Sequence, residues 1–248
     1  MDIFDPHIWL TFDTWMSLLT LTILEIVLGV DNLVFIAIVS NRLPTKKQKL
    51  ARKLGLALAL ITRLLLLAGM KWAIELTTPL LTIYEKSFSG RDILLLVGGI
   101  YLVFEGTSEI HQRVGYHTEK IKKKVRAVPP TMWRVLLKIM FLDIIFSLDS
   151  VITAVGMAQH FIVMALAIVI AVILMIWASE SLNRFIKANP TIEMLALAFL
   201  LLVGTVLVAD AFHVHINRSY VYFAISFSLF VESINIVAAR RKKDSSDG

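Results

Sequence analysis

The chain has 248 residues, of which 57% are hydrophobic and 18% charged, and its mean hydropathy is +0.76. Soluble domains are about 45–50% apolar and about 25% charged, so this composition excludes a disordered protein and argues against a soluble globular enzyme. The absence of cysteine excludes disulfides, thiolate metal sites and cysteine nucleophiles. The first residues, MDIFDPHIWLTFDTW, contain no Lys or Arg, so we expect no cleavable signal peptide. We therefore expect a polytopic membrane protein.

In chain order, seven apolar stretches are long enough to cross about 30 Å of hydrocarbon as helices. They are Thr14–Ser40, Leu50–Trp72, Asp92–Glu109, Trp133–Ala158, Phe161–Leu182, Thr191–Phe212 and Ser219–Ala239. Gly98-Gly99 in the middle of the short third stretch argues against a straight helix there. The prediction is a single all-α membrane domain with a cytoplasmic loop over about 110–132 and a basic tail over 240–248.

The basic residues predict the orientation. Of the 25 Lys and Arg residues, 19 follow the first, third, fifth and seventh spans and only 4 fall on the other side. By the positive-inside rule the N-terminus is outside and the C-terminus cytoplasmic. The run KKKVR in the third loop is then expected to face anionic lipid, so the net charge of +6 does not indicate nucleic-acid binding.

The first and fourth spans carry the same arrangement of acidic residues. They read ILEIVLGVDNLVFIAIV and FLDIIFSLDSVITAVGM, and in each an acid is followed six residues later by Asp and a small polar residue. Offset by 118 residues, the matching positions are Glu25, Asp31 and Asn32 in one copy and Asp143, Asp149 and Ser150 in the other. Since the two spans run in opposite directions, the pattern predicts a 3+3 inverted repeat, about 14–109 and 133–212, with an extra helix over about 219–239. Transporters of that kind bind substrate near the midplane.

Helix geometry places these residues along each span. Positions seven apart nearly coincide around a helix, so Glu25 is expected above Asn32 and Asp143 above Ser150, about 10 Å apart along each axis. Asp31 and Asp149 fall off that stripe in an unbroken helix. Gly29 in one copy and Ser147 in the other are the expected points where the helix loosens and turns these Asp residues inward.

The negative charges of these acids must be compensated inside the membrane. A carboxylate at the membrane midplane costs about 2.5–3.5 kcal/mol, so a cation, a proton or a fixed positive partner is required. Arg63 in the second span is the expected counter-ion when the site is empty. The alternative is that the acids only hold helices together, but four acids in a symmetric pattern exceed what packing requires.

Several other polar residues are accessory candidates, as proton-coupling groups or as a widening of the site. Glu105 and Asp210 lie near corresponding ends of the third and sixth spans, where the headgroup region is the alternative location. Glu232 in the last span is either a proton site or a contact that ties this helix to the bundle. His213 and His215 flank a membrane exit, where solvated histidines are more common than metal ligands.

The candidate ligands are all oxygens, which favour Mg²⁺, Ca²⁺ and Mn²⁺ over soft metals. No prosthetic group is expected, and the divalent ion is a transported substrate. Export against an inside-negative potential costs about 4.6 kcal/mol per 100 mV for two charges. Because the sequence has no ATP-binding loop, export requires exchange with protons, which compete with metal for the same carboxylates.

At these residues the chain resembles the TerC family of bacterial membrane proteins. The matching stretches are EIVLGVDNLVF, ITRLLLL, LDIIFSLDSVITAVG and HVHINRSYVYFAISFSLFVESIN. The resemblance implies an inner-membrane protein of the wider lysine-exporter-like superfamily, built from inverted three-helix repeats, with relatives implicated in Mn²⁺ efflux. Carried over by position, it implies that the site consists of the six motif residues named above. Other members have Glu near the end of span six, where this chain has Asp210.

Three classes of function remain open from the sequence. The favoured one is a secondary transporter that exports Mn²⁺ in exchange for protons. The alternatives are export of Ca²⁺ or another cationic substrate, and a non-transport scaffold that associates with itself or with the secretion machinery. We expect no enzyme, because no HExxH motif or Ser-His pair lies within the spans.

Overall fold

The computed structural model describes residues 9–69, 76–83, 86–115, 130–157 and 161–244. Within these ranges the chain forms seven α-helices and one β-hairpin. The helices are α1 Phe12–Asn41, α2 Thr45–Ala68, α3 Gly90–Gly115, α4 Met132–Met157, α5 Phe161–Ala188, α6 Pro190–Ala211 and α7 Arg218–Asp244. They coincide in order with the seven predicted stretches, which confirms the all-α class.

Among the described residues, five helices are long and apolar enough to cross a membrane: α1, α3, α5, α6 and α7. The other two helices, α2 and α4, are not among them. Charged residues of α2 include Arg52, Lys53 and Arg63, and those of α4 include Arg134, Lys138 and Asp143. Two of these charges, on Arg63 and Asp143, pair with each other in the protein interior.

The β-hairpin lies between α2 and α3, where the sequence indicated only a loop. Strand β1 (Pro79–Ile83) pairs antiparallel with β2 (Lys86–Ser89), and Ile83 is opposite Lys86. Pro79 stands at the first position of its strand, where its missing N–H costs no ladder bond. Next to the hairpin, Asp92 in the first turn of α3 accepts hydrogen bonds from the Ser89 amide (2.8 Å) and hydroxyl (2.7 Å).

The chain divides into two compact units. One contains α1, α2, the hairpin, α4 and most of α5, and the other contains most of α3 together with α6 and α7. In the first unit α1, α2 and α4 pack against one another, with the largest contact between α2 and α4. Gly55 of α2 lies against Ile139 of α4, and a Cβ at Gly55 would lie 2.8 Å from the Ile139 Cδ1 atom. A glycine here lets the two helix axes approach closely.

In the second unit α3 and α6 are antiparallel and cross at two glycines. A Cβ on Gly99 would lie 2.7 Å from the Gly204 carbonyl oxygen, and one on Gly204 would lie 2.9 Å from the Gly99 carbonyl oxygen. Further along, Gly106 lies against Leu201. The expected irregularity at Gly98-Gly99 is therefore wrong, because α3 is continuous and Gly99 serves close helix packing.

The expected helix breaks at Gly29 and Ser147 are also wrong. α1 continues through Gly29, and α4 continues through Ser147. A Cβ at Gly29 would lie 2.7 Å from the Met175 Sδ atom of α5, so this glycine makes room for a neighbouring side chain. Ser147 is fully buried. Small size at these positions serves packing and leaves the helical hydrogen bonds in place.

Candidate functional site

Arg63 lies at the centre of a buried ionic cluster formed by α1, α2 and α4. Its Nη1 atom donates to Glu25 Oε2 at 2.8 Å. Its Nη2 and Nε atoms donate to Asp143 Oδ1 at 3.1 and 3.2 Å. Arg63, Glu25 and Asp143 are 3%, 3% and 2% exposed. One guanidinium therefore ties together an acid from each of the two predicted repeat motifs.

Two neutral side chains complete the surroundings of Asp143. Asn32 Nδ2 donates to Asp143 Oδ1 at 3.3 Å, and Thr62 Oγ1 lies 2.8 Å from Asp143 Oδ2. The Thr62 hydroxyl also lies 2.9 Å from the carbonyl oxygen of Ala59 in its own helix. Both oxygens of Asp143 are thus hydrogen-bonded, as a buried carboxylate requires.

The Thr62 hydroxyl can serve either protonation state of Asp143. A hydroxyl has one proton to donate and can also accept. When Asp143 is ionised, Thr62 donates to it. When Asp143 is protonated on Oδ2, the acid donates to Thr62, whose own proton turns to the Ala59 carbonyl. A proton can therefore be gained or lost at Asp143 without leaving a polar group unsatisfied.

The charges of the cluster do not balance. Two ionised carboxylates on one guanidinium leave a net charge of −1 among three fully buried groups. Removing charges from water costs several kcal/mol per ion, which attraction repays only with good geometry. The cluster would become neutral if it bound one proton or one additional positive charge.

The structure brings together four residues singled out from the sequence: Glu25, Asn32, Asp143 and Arg63. The side chains of the other three motif residues, Asp31, Asp149 and Ser150, lie outside the described part of the chain. Thr62 was missed, because threonine is common in membrane helices, and only its place beside the buried Arg63 could have indicated it.

The accessory candidates lie in the second unit. Glu105 and Asp210 are 6% and 8% exposed, and Asp210 Oδ1 lies 3.6 Å from Nδ1 of the exposed His215. Glu232 is half-buried and accepts a 3.3 Å hydrogen bond from Asn235 one turn further along α7. His213 lies in the turn that ends α6 and has a positive φ of 63°. This is the left-handed conformation in which helices commonly end.

Glu105 and Asp210 occupy equivalent positions in a short repeat that the sequence analysis did not recognise. Residues 99–105 read GIYLVFE and residues 204–210 read GTVLVAD, with the same Gly, Leu and Val and an acid at the end of each. The first residues of the two copies, Gly99 and Gly204, are those whose backbones meet reciprocally. The repeat is present in the sequence, but the contact between Gly99 and Gly204 in the structure shows which positions correspond.

A second arginine–carboxylate cluster lies at the C-terminal end of α3. Arg113 donates to Glu193 of α6 and lies 3.6 Å from Glu109 on its own helix. Both acids are buried. Among the described residues, no group of three or more His, Asp or Glu side chains is arranged to hold a metal ion.

Comparison with known proteins agrees with the membrane architecture. The model of the family described as "Integral membrane protein TerC family" matches residues 10–247. The chain is 45% identical over 237 residues to "UPF0053 inner membrane protein YgdQ" of Escherichia coli (strain K12), covering 95% of this chain and 98% of that protein. It is 47% identical over 234 residues to a "UPF0053 protein" of Haemophilus influenzae, covering 93% and 97%.

A longer relative shares the same region. "UPF0053 inner membrane protein YoaE" of Escherichia coli (strain K12) is 48% identical over 238 residues, which are 95% of this chain and 44% of that protein. No solved structure matches. The apolar helices, the family match and the inner-membrane relatives agree: the chain belongs to the TerC family and is a multi-pass protein of the inner membrane.

Proposed function

We propose that the protein is a secondary transporter that exports Mn²⁺ from the cytoplasm in exchange for protons. The observation that carries the proposal is the buried pair of carboxylates, Glu25 and Asp143, held 2.8 and 3.1 Å from the two ends of the Arg63 guanidinium. The pair consists of one acid from α1 and one from α4. Ionisable groups at membrane depth mark ion pathways more often than structural contacts.

In this proposal Arg63 takes the place of the substrate when the site is empty. Without metal, its guanidinium neutralises one of the two acids, and a proton neutralises the other. A divalent ion enters when at least one carboxylate leaves Arg63, and Asp31, Asp149 and Ser150 then contribute further oxygens. All-oxygen ligands suit Mn²⁺ and Ca²⁺ alike, so the choice of Mn²⁺ comes from the family resemblance.

Proton exchange is assigned to Asp143. Thr62 satisfies this acid in both protonation states, so protonation can neutralise it as metal leaves. Protons and metal compete for the same oxygens, which couples their movements without a second site. The proton gradient then supplies the roughly 4.6 kcal/mol per 100 mV that export of a dication requires.

The same proposal includes seven membrane crossings and an inverted 3+3 repeat. In it α2 and α4 cross the membrane because their charged groups face each other and not lipid. The repeat is supported by the paired acidic motifs of α1 and α4 and by the GIYLVFE and GTVLVAD segments of α3 and α6. The reciprocal contact of Gly99 with Gly204 is what a twofold axis between α3 and α6 produces.

The test is metal movement in inside-out proteoliposomes with an imposed pH gradient. We compare wild type, Asp31→Asn/Asp149→Asn, and the matched control Glu109→Gln/Glu193→Gln, which alters two buried acids of the Arg113 cluster. Wild type and control are expected to move Mn²⁺ in a gradient-dependent way, and the Asp31/Asp149 variant to move none while remaining monodisperse.

The other possible outcomes of this assay distinguish the alternative functions. Preference for Ca²⁺ in the same assay would mean that the substrate is Ca²⁺ and not Mn²⁺, with the proposed site unchanged. Flux that does not depend on the pH gradient would rule out exchange of the metal ion with protons. The absence of flux for any divalent ion in monodisperse wild type would overturn the transporter and favour the scaffold, in which the acids serve assembly.

A further inference from the structure

The guanidinium of Arg52 on α2 is buried with most of its hydrogen-bonding capacity unused. Arg52 is 2% exposed, and its Nη2 atom donates to Glu180 Oε2 of α5 at 3.0 Å. Its Nε and Nη1 atoms are buried and have no hydrogen-bond partner among the described residues. A guanidinium has five N–H donors, which suit the oxygens of carboxylates and phosphates. Contact with a single carboxylate oxygen therefore leaves this buried cation poorly satisfied.

Two amide side chains at the same end of the first unit are also poorly satisfied. Asn183 is 4% exposed and follows Glu180 by three residues on the same face of α5. Its buried Oδ1 atom has no hydrogen-bond partner in the described part of the chain, and the same is true of both amide atoms of Asn41. The backbone carbonyl of Asn41 accepts a 3.0 Å hydrogen bond from Gln48, one turn before Arg52. Unused polar groups are thus concentrated where α1 and α5 end and α2 begins.

The charges at this end of α2 and α5 do not balance. Lys49 of α2 and Arg184 of α5 are exposed, and both lie near enough to Glu180 to attract its carboxylate, as Arg52 does. Three cations around one carboxylate leave an excess of two positive charges in this Arg52 cluster. The first turn of α2, Thr45–Gln48, adds two lysines and no acid, although the N-terminus of a helix favours negative charge. An anion bound here would compensate all of these groups.

The Arg52 cluster lies at the depth of the lipid head groups. About 20 helical residues cross the hydrocarbon core of a membrane. Glu180 is the twentieth residue of α5, which begins at Phe161, so it lies where such a crossing ends. Trp177, one turn earlier, is 82% exposed, and exposed tryptophans are typical of the membrane–water interface. In the predicted orientation this is the cytoplasmic surface, where basic pockets between membrane helices bind phospholipid head groups.

We propose that the Arg52 cluster binds a phosphate group, and that its source is an anionic phospholipid of the cytoplasmic leaflet. Lys49 and Arg184 attract the phosphate at the rim. Glu180 holds the Arg52 guanidinium when no lipid is bound, and because its side chain is 40% exposed, it can turn to solvent and leave Arg52 to the phosphate oxygens. A hydroxyl of a phosphatidylglycerol head group then donates to Asn183. A phosphate ion has the same chemistry, but the depth of the site favours the lipid.

Native mass spectrometry of the purified full chain with added phosphatidylglycerol tests the proposal, with phosphatidylethanolamine of the same acyl chains as the uncharged comparison. Wild type is expected to retain one phosphatidylglycerol, with an affinity about tenfold or more above that for phosphatidylethanolamine. Arg52→Met/Glu180→Gln removes the guanidinium together with its acid, so no buried charge is left unpaired. This variant should lose the preference for phosphatidylglycerol.

Two single variants with the same loss of charge provide the matched comparison. Lys49→Gln removes a cation that acts on Glu180 and should weaken phosphatidylglycerol binding several-fold. Lys53→Gln changes an exposed lysine one turn further along α2, on which the proposed site does not depend. It should bind phosphatidylglycerol as wild type does.

Glu180→Gln distinguishes a lipid site from a structural ion pair. Because the carboxylate competes with phosphate for Arg52, its removal should tighten phosphatidylglycerol binding several-fold. A structural ion pair predicts a loss of stability with no gain in lipid affinity, and that result would overturn the proposal. Equal retention of the two lipids, or unchanged lipid preference in Arg52→Met/Glu180→Gln, would also overturn it. Displacement of phosphatidylglycerol by excess inorganic phosphate would overturn the lipid source and assign the site to soluble phosphate.

Discussion

Arg63 is the residue on which the buried charges of the first unit depend. It is the ion-pair partner of both Glu25 and Asp143, and all three groups are out of contact with solvent. Breaking a buried ion pair from one side leaves an uncompensated charge and is strongly destabilising, whereas replacing all members with neutral groups is often neutral. The two kinds of change therefore separate charge compensation from packing.

We predict that Arg63→Met destabilises the protein by about 3–5 kcal/mol, because two buried carboxylates lose their partner. Adding Glu25→Gln and Asp143→Asn to Arg63→Met should restore most of that loss. Thermal unfolding of the purified protein measures both effects. Arg184→Met, an exposed position on α5, is the control and should change stability by no more than about 0.5 kcal/mol. Equal losses for the single and triple variants would show that packing, and not charge, holds this cluster.

The members of the cluster differ in how far the sequence could predict them. Glu25, Asn32 and Asp143 belong to a motif that occurs twice, and a lone Arg63 in an apolar stretch requires an acidic partner. Thr62 carries no such signal, because its role depends on which oxygen of Asp143 faces it. Side chains one residue apart on a helix point in different directions, so only the packed structure shows that Thr62 and Arg63 both reach the same acid.

Among the helices, glycines set how closely neighbours approach, and their effects depend on what they face. Gly29 faces the flexible end of Met175, whereas Gly99 faces the backbone of α6 at Gly204 and Val208. A thioether can move aside, but the backbone of a packed helix cannot. The sequence suggested helix irregularity at both glycines, since conformational freedom and small size look alike in a sequence.

We predict that Gly99→Ala destabilises the protein by about 1–3 kcal/mol through overpacking, and Gly204→Ala by a similar amount. Gly29→Ala should be close to neutral, because the better helix propensity of alanine, about 1 kcal/mol, offsets a small shift of Met175. Thermal unfolding of the three single variants checks this order. A larger loss for Gly29→Ala than for Gly99→Ala would contradict the account of these contacts.

For the whole molecule, the predicted orientation rests on the distribution of charge, and the number of crossings depends on whether α2 and α4 span the membrane. The positive-inside rule uses only the sequence and predicts opposite locations for the two ends of the chain. The hairpin between α2 and α3 could not be predicted, because its short strands are stabilised by each other. The side of the membrane on which the hairpin lies distinguishes seven crossings from five.

We predict that Ser87→Cys in the hairpin reacts with a membrane-impermeant maleimide added outside cells with a permeabilised outer membrane. Ser245→Cys in the basic tail should react only when the cytoplasmic face is opened. The cysteine-free chain is the background for both variants. Protection of Ser87→Cys under conditions where the tail reacts as expected would mean that α2 does not cross the membrane.

In the proposed transporter Glu25 and Asp143 exchange Arg63 for a metal ion, and Mn²⁺ binding measured by electron paramagnetic resonance tests this exchange most directly. Purified wild type and the Glu109→Gln/Glu193→Gln control should bind Mn²⁺ with the same affinity, weakening as the pH falls because protons compete. Glu25→Gln/Arg63→Met/Asp143→Asn, which leaves no buried charge of the cluster unpaired, should lose binding while its elution profile stays unchanged. Equal Mn²⁺ affinity in all three proteins would place the ion elsewhere and leave the Arg63 cluster as a structural contact.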